Sequence, residues 1–203
     1  MPEKPRRQPR QQRSRALVDT ILEAAAQVLA AEGPERTTTN RVAQRAGVSV
    51  GSIYQYFPDK HALFTALGER YVHHLRTALI SIWPTALTHP PARALSVVLE
   101  RLLAVSIQDP RLSGMLHLTT FPAPALSPIA AFERELEGLV ATFLRLPHDP
   151  PLQVPDPDLT ARLIVRAAGG IVGRTLASEP HLLTDPAFVR EVMWLIERYV
   201  QAG

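Results

Sequence analysis

Hydroxyl, phenol and amide side chains are concentrated in the segment SVGSIYQYFPDK, residues 49–60. Such groups hydrogen-bond the phosphates, sugars and base edges of DNA. Gln55 carries an amide that can form paired hydrogen bonds with adenine, and Val50 can contact a thymine methyl group. Gly51 permits a close backbone approach, and Lys60 can reach a phosphate. The hydroxyl and phenol groups belong to Ser49, Ser52, Tyr54 and Tyr56. These residue types predict a surface that contacts double-stranded DNA.

Two short helices joined by a tight turn must position these side chains. We predict a helix from about Thr39 to Arg45, with Thr38 as its N-cap and Thr39 directed at a phosphate. Gly47 supplies a left-handed turn, and a second helix covers about Val50 to Tyr56. This arrangement is a helix-turn-helix, whose second helix enters the major groove. The alternative is a small helical turn whose tyrosines are only surface side chains.

The string TTTNRVAQRAGVSVGSIYQYFPDKHAL resembles the DNA-binding domain of the TetR family of bacterial transcriptional regulators. The resemblance covers residues 14–63, and His61 departs from it because the family often has an acidic residue there. The resemblance implies two groups of DNA-contacting residues. It assigns the DNA backbone to Thr38, Thr39, Tyr54, Tyr56 and Lys60, and the base edges to Ser49, Val50, Gly51 and Gln55.

Positive charge is concentrated near the N-terminus. Residues 1–60 carry 10 Lys and Arg against 6 Asp and Glu, a net charge of +4, whereas residues 61–203 have a net charge of −1. We expect residues 1–13 to form a flexible basic arm that suits a polyanion. A solubilising tail is the alternative interpretation of this charge.

The hydrophobic pattern has the helical period along the chain, without a convincing strand. We therefore predict an all-α fold of about nine helices, with a helix-turn-helix domain at residues 14–58 and a larger domain at 59–203. The first helix is expected from a cap at Ser14 to before Gly33, and a long fourth helix from Lys60 to about Ile82. The remaining helices are predicted at about 91–108, 110–121, 128–146, 157–178 and 185–201.

The last two predicted helices favour a homodimer. The final helix carries two adjacent apolar stripes, so it needs burial on two sides. The helix before it contains three glycines, each of which costs roughly 1 kcal/mol relative to alanine. Intramolecular packing alone is the alternative, although the resemblance implies pairing through these two helices. The expected interface residues are Gly169, Gly170, Gly173, Val189, Met193, Ile196 and Val200.

The resemblance also implies that the C-terminal domain senses a small molecule. Effector binding would then change the spacing of two recognition helices, which must lie about 34–36 Å apart or a multiple of that. An aliphatic pocket is favoured because aromatic residues make up only 6% of the chain. For each candidate taken alone, an ordinary core or surface role is the favoured interpretation. The candidate ligand-binding residues are His74, Trp83, His117, Phe121, Phe132, Arg166 and Arg174.

The motifs of common enzyme and metal sites do not occur. The chain has no cysteine, no His-Glu-x-x-His and no nucleophile elbow or phosphate-binding loop. We expect neither catalysis nor a cofactor or metal, and no apolar run of about 18 residues suggests a membrane span. The prediction is a cytoplasmic repressor that binds a palindromic operator as a homodimer and is released by an effector. The alternatives are an activator, a ligand-independent DNA-binding protein or an all-α enzyme.

Overall fold

The structure is a computed structural model that describes residues 10–119, 127–149, 152 and 154–201. These residues form nine α-helices and one short 3₁₀ helix, Pro180–Thr184, and contain no strand, which confirms the all-α prediction. The helices are α1 (Arg10–Glu32), α2 (Thr39–Ala46), α3 (Val50–Tyr54), α4 (Lys60–Ala86), α5 (Pro91–Ser106), α6 (Pro110–Leu118), α7 (Pro128–Leu144), α8 (Pro157–Ser178) and α9 (Pro186–Gln201). None of the described helices combines the length and apolar character that a membrane span needs.

Proline and short polar side chains set the starts of the C-terminal helices. Each of α5 to α9 begins at a proline, which has no N–H to leave unpaired in the first turn. The residues before α6, α7 and α8 cap them: Asp109, Ser127 and Asp156 accept backbone N–H groups at 3.0, 3.4 and 3.0 Å. These local signals explain why the predicted starts of these helices are close to the observed ones.

Helix α1 begins before its predicted cap. Ser14 lies inside α1 because the preceding arginines and glutamines are good helix formers and continue the helix to Arg10. Residues 10–13 are therefore helical and do not belong to a flexible arm. Residues 1–9 of the predicted arm lie outside the described residues.

Further predicted helix ends differ from the structure, among them those of α3, α4 and α6. Helix α3 ends at Tyr54 and is followed by a turn, whereas α4 continues through Pro84 to Ala86. Pro84 is tolerated one turn before the end, where Ile80 is exposed and water can reach the carbonyl that Pro84 leaves unpaired. Helix α6 ends at Leu118, three residues earlier than predicted.

The chain divides within α4 into two compact units, residues 1–67 and residues 68–203, here called the N-terminal and C-terminal units. In the N-terminal unit, α1 packs against α2, and Ile21, Leu29, Val42 and Ile53 are fully buried. In the C-terminal unit, α8 packs against both α6 and α7, and α5 packs against α9. Each unit thus has its own apolar core.

Helices α6 and α8 approach each other very closely at Gly114. A Cβ atom added to Gly114 would lie 2.6 Å from the carbonyl oxygen of Leu176 and 3.1 Å from the Cα atom of Ala177. Both contacts are to backbone, which cannot rotate away as a side chain can. The absence of a side chain at Gly114 therefore sets the distance between these two helices.

Candidate DNA-binding surface and C-terminal cavity

The turn between α2 and α3 has the predicted geometry. Thr38 is extended (φ −124°, ψ 155°), and its Oγ1 accepts a hydrogen bond from the Arg41 N–H at 3.3 Å. Gly47 is left-handed (φ 69°, ψ 29°), and the following N–H of Val48 donates to the carbonyl of Ala43 at 3.1 Å. Both the Thr38 cap and the Gly47 turn are confirmed, because each is determined by a few neighbouring residues.

Hydroxyl groups on α2 and α3 form two pairs at the surface. Ser49 caps α3 by accepting the Ser52 N–H at 3.1 Å, and the two hydroxyls lie 2.8 Å apart. The hydroxyls of Thr39 and Tyr54 are 3.3 Å apart and so link α2 to α3. Each pair holds oxygen atoms in a fixed geometry on the exposed side of the two helices.

Polar residues of this segment lie on its surface while its apolar residues form the core. Val42, Ala43, Ile53 and Phe57 are buried, and the Tyr54 side chain is 53% exposed. All ten residues predicted to contact DNA are accessible. Thr38, Ser49, Gly51, Tyr54 and Gln55 are exposed, and Thr39, Val50, Ser52, Tyr56 and Lys60 are half-buried.

Tyr56 has a positioning contact that the sequence did not reveal. The Ser14 Oγ, from α1, donates a hydrogen bond to the Tyr56 hydroxyl at 3.0 Å. This bond fixes the turn that follows α3 against the first helix. Lys60 is the first residue of α4, and Asp59 caps that helix by accepting the Ala62 N–H at 2.8 Å.

A mostly aliphatic cavity of about 120 Å³, the inner cavity, lies inside the C-terminal unit. Side chains from α4 to α9 line it, including Leu75, Leu102 and Ile164. Its polar wall residues are Tyr71, Ser106, His117 and Glu133. The aliphatic character agrees with the kind of pocket that the low aromatic content favours.

The titratable groups of the wall are shifted by burial. The Tyr71 hydroxyl is 2.7 Å from the Ser106 hydroxyl, and desolvation raises the pKa of Tyr71. His117 Nδ1 donates to the Ser113 carbonyl at 2.8 Å, and desolvation lowers the pKa of the His117 imidazole. Burial, and to a smaller extent Glu137, raise the pKa of Glu133. Tyr71 and His117 are therefore uncharged at neutral pH.

A second, more open cavity of about 690 Å³ adjoins the first and is called the outer basin. Gly170, Arg166 and Arg174 from α8 line it. It shares wall residues with the inner cavity, namely His117, Glu133 and Gly169. These three residues therefore lie at the junction of the outer basin and the inner cavity.

The predicted ligand-binding residues are distributed unevenly over the two cavities. His117 and Phe132 line the inner cavity, and His117, Arg166 and Arg174 line the outer basin. His74 and Trp83 line neither of these two cavities: His74 is exposed, and the Trp83 ring packs 5.9 Å from the Phe143 ring. Phe121 lies outside the described residues. The sequence analysis did not identify two polar wall residues of the inner cavity, Glu133 and Tyr71.

The residues predicted for a dimer interface pack mainly inside one protomer. Met193, Ile196 and Val200 are buried, since this side of α9 packs on the protomer's own core, and Val189 packs against buried leucines that include Leu183. The three buried residues cannot contact a second chain without opening the protomer, whereas Val189 is half-buried. This corrects the α9 part of the predicted interface.

Two of the three glycines predicted for the interface also have partners within the protomer. Added Cβ atoms at Gly169 and Gly173 would lie 2.6 Å from Glu133 Oε1 and from His117 Cδ2. Gly170 alone of the three is open, because no atom of the described residues lies within 4 Å of its added Cβ. Intramolecular packing, the alternative left open by the sequence, thus accounts for Gly169 and Gly173.

Two protein-family models match the chain. The model described as "Bacterial regulatory proteins, tetR family" matches residues 21–67, and "Tetracyclin repressor-like, C-terminal domain" matches residues 90–199. The second match alone spans more than half of the chain, and the first contains both helices of the turn.

Two relatives align with different shares of the chain. Nucleoid occlusion factor SlmA of Pasteurella multocida (strain Pm70) is 32% identical over 117 residues, 56% of this chain and 58% of that protein. The chain thus aligns with less than two thirds of that relative's length. An uncharacterised HTH-type transcriptional regulator of Mycobacterium tuberculosis (strain CDC 1551 / Oshkosh) is 28% identical over 178 residues, 85% of this chain and 84% of that protein.

Solved structures share the fold at low sequence identity. A transcriptional regulator from Rhodococcus sp. has a TM-score of 0.70 at 21% identity, covering 91% of this chain and 96% of that one. The regulator FadR from Bacillus subtilis in complex with stearoyl-CoA has a TM-score of 0.66 at 17% identity, covering 92% and 99%. The SmeT–triclosan complex has a TM-score of 0.66 at 23% identity, covering 92% and 90%. At these identities the likeness shows a common fold alone.

Proposed function

The chain belongs to the TetR family and is a DNA-binding transcriptional regulator, and from this premise we propose that it acts as a repressor. It binds a palindromic operator as a homodimer and leaves the operator when a small molecule occupies the inner cavity. The observation that carries this proposal is the exposed polar side of α2 and α3, which is supported from behind by a buried apolar core.

The surface groups of α2 and α3 suit two kinds of DNA contact. The Thr39 and Tyr54 hydroxyls form a pair that can bind one phosphate, next to the N-terminus of α2, whose unpaired amides favour an anion. Gln55 is exposed at the end of α3, where its amide is free to pair with a base edge. Phosphate contacts then fix the position of α3, and base contacts give sequence preference.

Substitutions of Lys60 and Gln55 are expected to have different effects. Lys60→Ala removes a phosphate contact, so affinity falls for all sequences and the salt slope of log K decreases by about 1. Gln55→Ala should relax preference at one or two base pairs by about 1–3 kcal/mol each. Binding to an operator selected from random DNA, and to its single-base variants, at several salt concentrations measures both effects.

The matched control for these two variants is Gln108→Ala, because Gln108 is an exposed residue of the C-terminal unit. It should change neither affinity nor preference. A Gln55→Ala protein that loses affinity uniformly, without any change in base preference, would contradict a base-contacting role. If random DNA yields no enriched operator at all, the proposed repressor function itself fails.

The homodimer is supported by large apolar side chains that the protomer leaves in contact with water. Large exposed apolar side chains mark interaction sites, and most soluble oligomers are symmetric homodimers. On the last two helices these side chains are Leu159 and Leu163 of α8 with Trp194, Leu195 and Tyr199 of α9. Each of these side chains is about half exposed, so a second copy can cover it.

Leu163→Glu or Leu195→Glu is expected to raise the dimer dissociation constant about 100-fold or more, since an unpaired charge is costly to bury. Sedimentation equilibrium measures this constant directly. The matched control is Ile80→Glu on α4, where the isoleucine is even more exposed, and this variant should stay dimeric. A wild-type protein that is monomeric at micromolar concentration, or an equal effect of the Ile80 variant, would rule out this interface.

Release by an effector requires that the ligand bind the DNA-incompetent form more tightly than the DNA-bound form. The cavity is available for such a ligand, and Tyr71 and Leu75 of α4 belong to its wall. Related folds have been solved with stearoyl-CoA or triclosan bound, which supports a small-molecule effector here. The chemistry of those two ligands is not carried over to this chain.

A ligand-independent DNA-binding protein is the second candidate function. It is favoured by the 32% identity to a protein named nucleoid occlusion factor. Footprinting with and without candidate small molecules separates the two functions. A repressor protects few promoter sites and releases them on effector binding, whereas a ligand-independent protein keeps its sites whatever is added.

A further inference from the structure

We propose that the inner cavity binds a small apolar amine in its protonated form, with the carboxylate of Glu133 as the counterion. This inference rests on the effector-responsive function proposed above and names the class of effector. It is carried by the size of the inner cavity, by the charges of its wall and by the position of Glu133 at the junction with the outer basin.

The size and the wall of the inner cavity define the apolar part of the ligand. The cavity volume is about 120 Å³, and Leu75, Leu99, Leu102 and Phe132 are among the residues that line it. An apolar cavity of about 150 Å³ in another protein stays dry and takes up benzene. The inner cavity therefore suits a ring or chain of about six carbon atoms, which gains the free energy of leaving water.

Glu133 is the one wall residue of the inner cavity, among those the structure describes, that carries a carboxyl group. The other two titratable wall groups, Tyr71 and His117, are held neutral by burial, as their shifted pKa values show. Within the described part of the chain, the Glu133 carboxylate has neither a hydrogen bond nor an ion pair. A half-buried carboxylate without a partner is unfavourable, and a cation placed beside it relieves that cost.

The neighbouring arginines do not neutralise Glu133. Arg166 from α8 directs its Nε to Glu137 at 2.9 Å, and Arg162 also approaches Glu137, at 3.9 Å. Arg134 and Arg166 act on Glu133 only through space, and their effect is smaller than that of burial, so the pKa of Glu133 remains raised. The position of a counterion next to Glu133 is thus open to a ligand.

The junction explains how such a ligand would be oriented. Glu133 lines both the inner cavity and the outer basin, and an added Cβ at Gly169 would lie 2.6 Å from its Oε1. Gly169 thereby leaves room for the carboxylate at the junction of the two cavities. A ligand that enters from the basin with its apolar end first would leave its ammonium group beside Glu133, close to water.

The arginines of the outer basin are the strongest argument that the ligand is an anion and not a cation. Arg166 and Arg174 line it, and Arg174 has no carboxylate partner among the described residues. An anionic head group bound there would have to lie close to Glu133 if its apolar part filled the inner cavity. The repulsion between the two negative charges favours a cation over an anion.

Three probes of nearly equal shape test this inference: benzylammonium, benzyl alcohol and benzoate, titrated at pH 7.5 by calorimetry and by saturation-transfer NMR. We expect benzylammonium to bind about 10-fold or more tightly than benzyl alcohol, and benzoate to bind most weakly, because a charge-assisted hydrogen bond is added in the first case. Glu133→Gln should reduce benzylammonium affinity to that of benzyl alcohol and leave benzyl alcohol unchanged.

The variant and its control are both expected to fold. Glutamine has the shape of glutamate and brings no charge to be buried, so we expect Glu133→Gln to fold. Glu135→Gln is the matched control on the same helix. Glu135 is exposed and pairs with Arg76 at 2.6 Å, so its replacement should not change the binding of any of the three probes.

Each other outcome overturns the inference. Tightest binding of benzoate would make the basin arginines the determinant, and equal binding of the ammonium and the alcohol would remove the role of charge. No binding of any probe to the wild-type protein would refute both the size and the charge assigned to the ligand. The same preparations are tested for operator binding and for release by unrelated compounds, so a functional repressor with another class of effector is distinguished from failure of the proposed function.

Discussion

Replacing Gly51 by leucine is expected to lower operator affinity about 100-fold or more, because two base contacts of about 1–3 kcal/mol each would be lost. The fold should be unaffected. Gly51 is exposed at the second position of α3, and its added Cβ would meet only the Ser49 Oγ, at 3.7 Å. Leucine is also a better helix former than glycine by about 1 kcal/mol. The free protein therefore has room for the side chain, and only the complex with DNA does not.

The expected loss follows from the position of Gly51 within the DNA-binding surface. It lies on the same short helix as Ser52 and Tyr54 and one turn before Gln55. A branched side chain here would hold α3 away from the base edges, so that Gln55 no longer reaches its base. Contacts of lysine and arginine side chains with phosphates tolerate this displacement better than base contacts do. Non-specific affinity should therefore fall much less than operator affinity.

Fluorescence anisotropy with labelled operator and with random DNA measures the two affinities, and thermal unfolding followed by circular dichroism checks the fold. Gly138→Leu is the matched control, because Gly138 is an exposed glycine within a helix and no atom lies within 4 Å of its added Cβ. It should leave both affinities unchanged. An operator affinity of Gly51→Leu within threefold of wild type would show that α3 does not approach DNA with this side.

The helix-turn-helix was predictable because its determinants are local. Thr38, Gly47 and Asp59 each act on backbone groups within a few residues, so their roles follow from residue type and spacing alone. The error at Ser14 has the same origin: a serine can cap a helix only where the helix starts, and the arginines and glutamines before it continue α1. Its actual partner, Tyr56, is 42 residues away and leaves no local signal.

Packing between helices decided what the sequence left open in the C-terminal unit. The two apolar stripes on α9 indicated that both of these sides must be buried. They did not indicate which side is buried within the protomer itself. The structure buries Met193 and Ile196 and exposes Leu195 and Tyr199. The sequence pattern is nearly symmetric between these stripes, so only the position of α9 against its neighbours distinguishes them.

The polar wall residues of the inner cavity could not be predicted from the sequence for a related reason. Glu133 and Glu135 are two positions apart in α7, and both would be expected to face water. Glu135 does so and binds Arg76, whereas Glu133 lies against α8 where Gly169 leaves space. Whether each carboxylate faces water or packs against another helix depends on a residue of that other helix. A single sequence does not contain that information in a readable form.

Glycines within helices show the same dependence on neighbours, and they allow a direct test. Gly114→Ala is expected to destabilise the protein by about 2–4 kcal/mol, at the upper end of overpacking effects. The added methyl group would lie 2.6 Å from the Leu176 carbonyl oxygen and 2.9 Å from its carbon, so α6 and α8 must separate. Because α8 also packs against α7, the separation would disturb the inner cavity as well.

Gly138→Ala makes the same chemical change in α7, where no neighbour in the described part of the chain lies within 4 Å of the added Cβ. It should stabilise the protein by about 0.5–1 kcal/mol through helix propensity alone. The midpoints of thermal unfolding should therefore move in opposite directions, with a fall of roughly 5–15 °C for Gly114→Ala. Equal shifts in the two variants would mean that helices α6 and α8 have room for a side chain at their crossing. In that case the close approach of α6 and α8 at Gly114 would be wrong. The position of α6, whose His117 lines the inner cavity, would then be wrong as well.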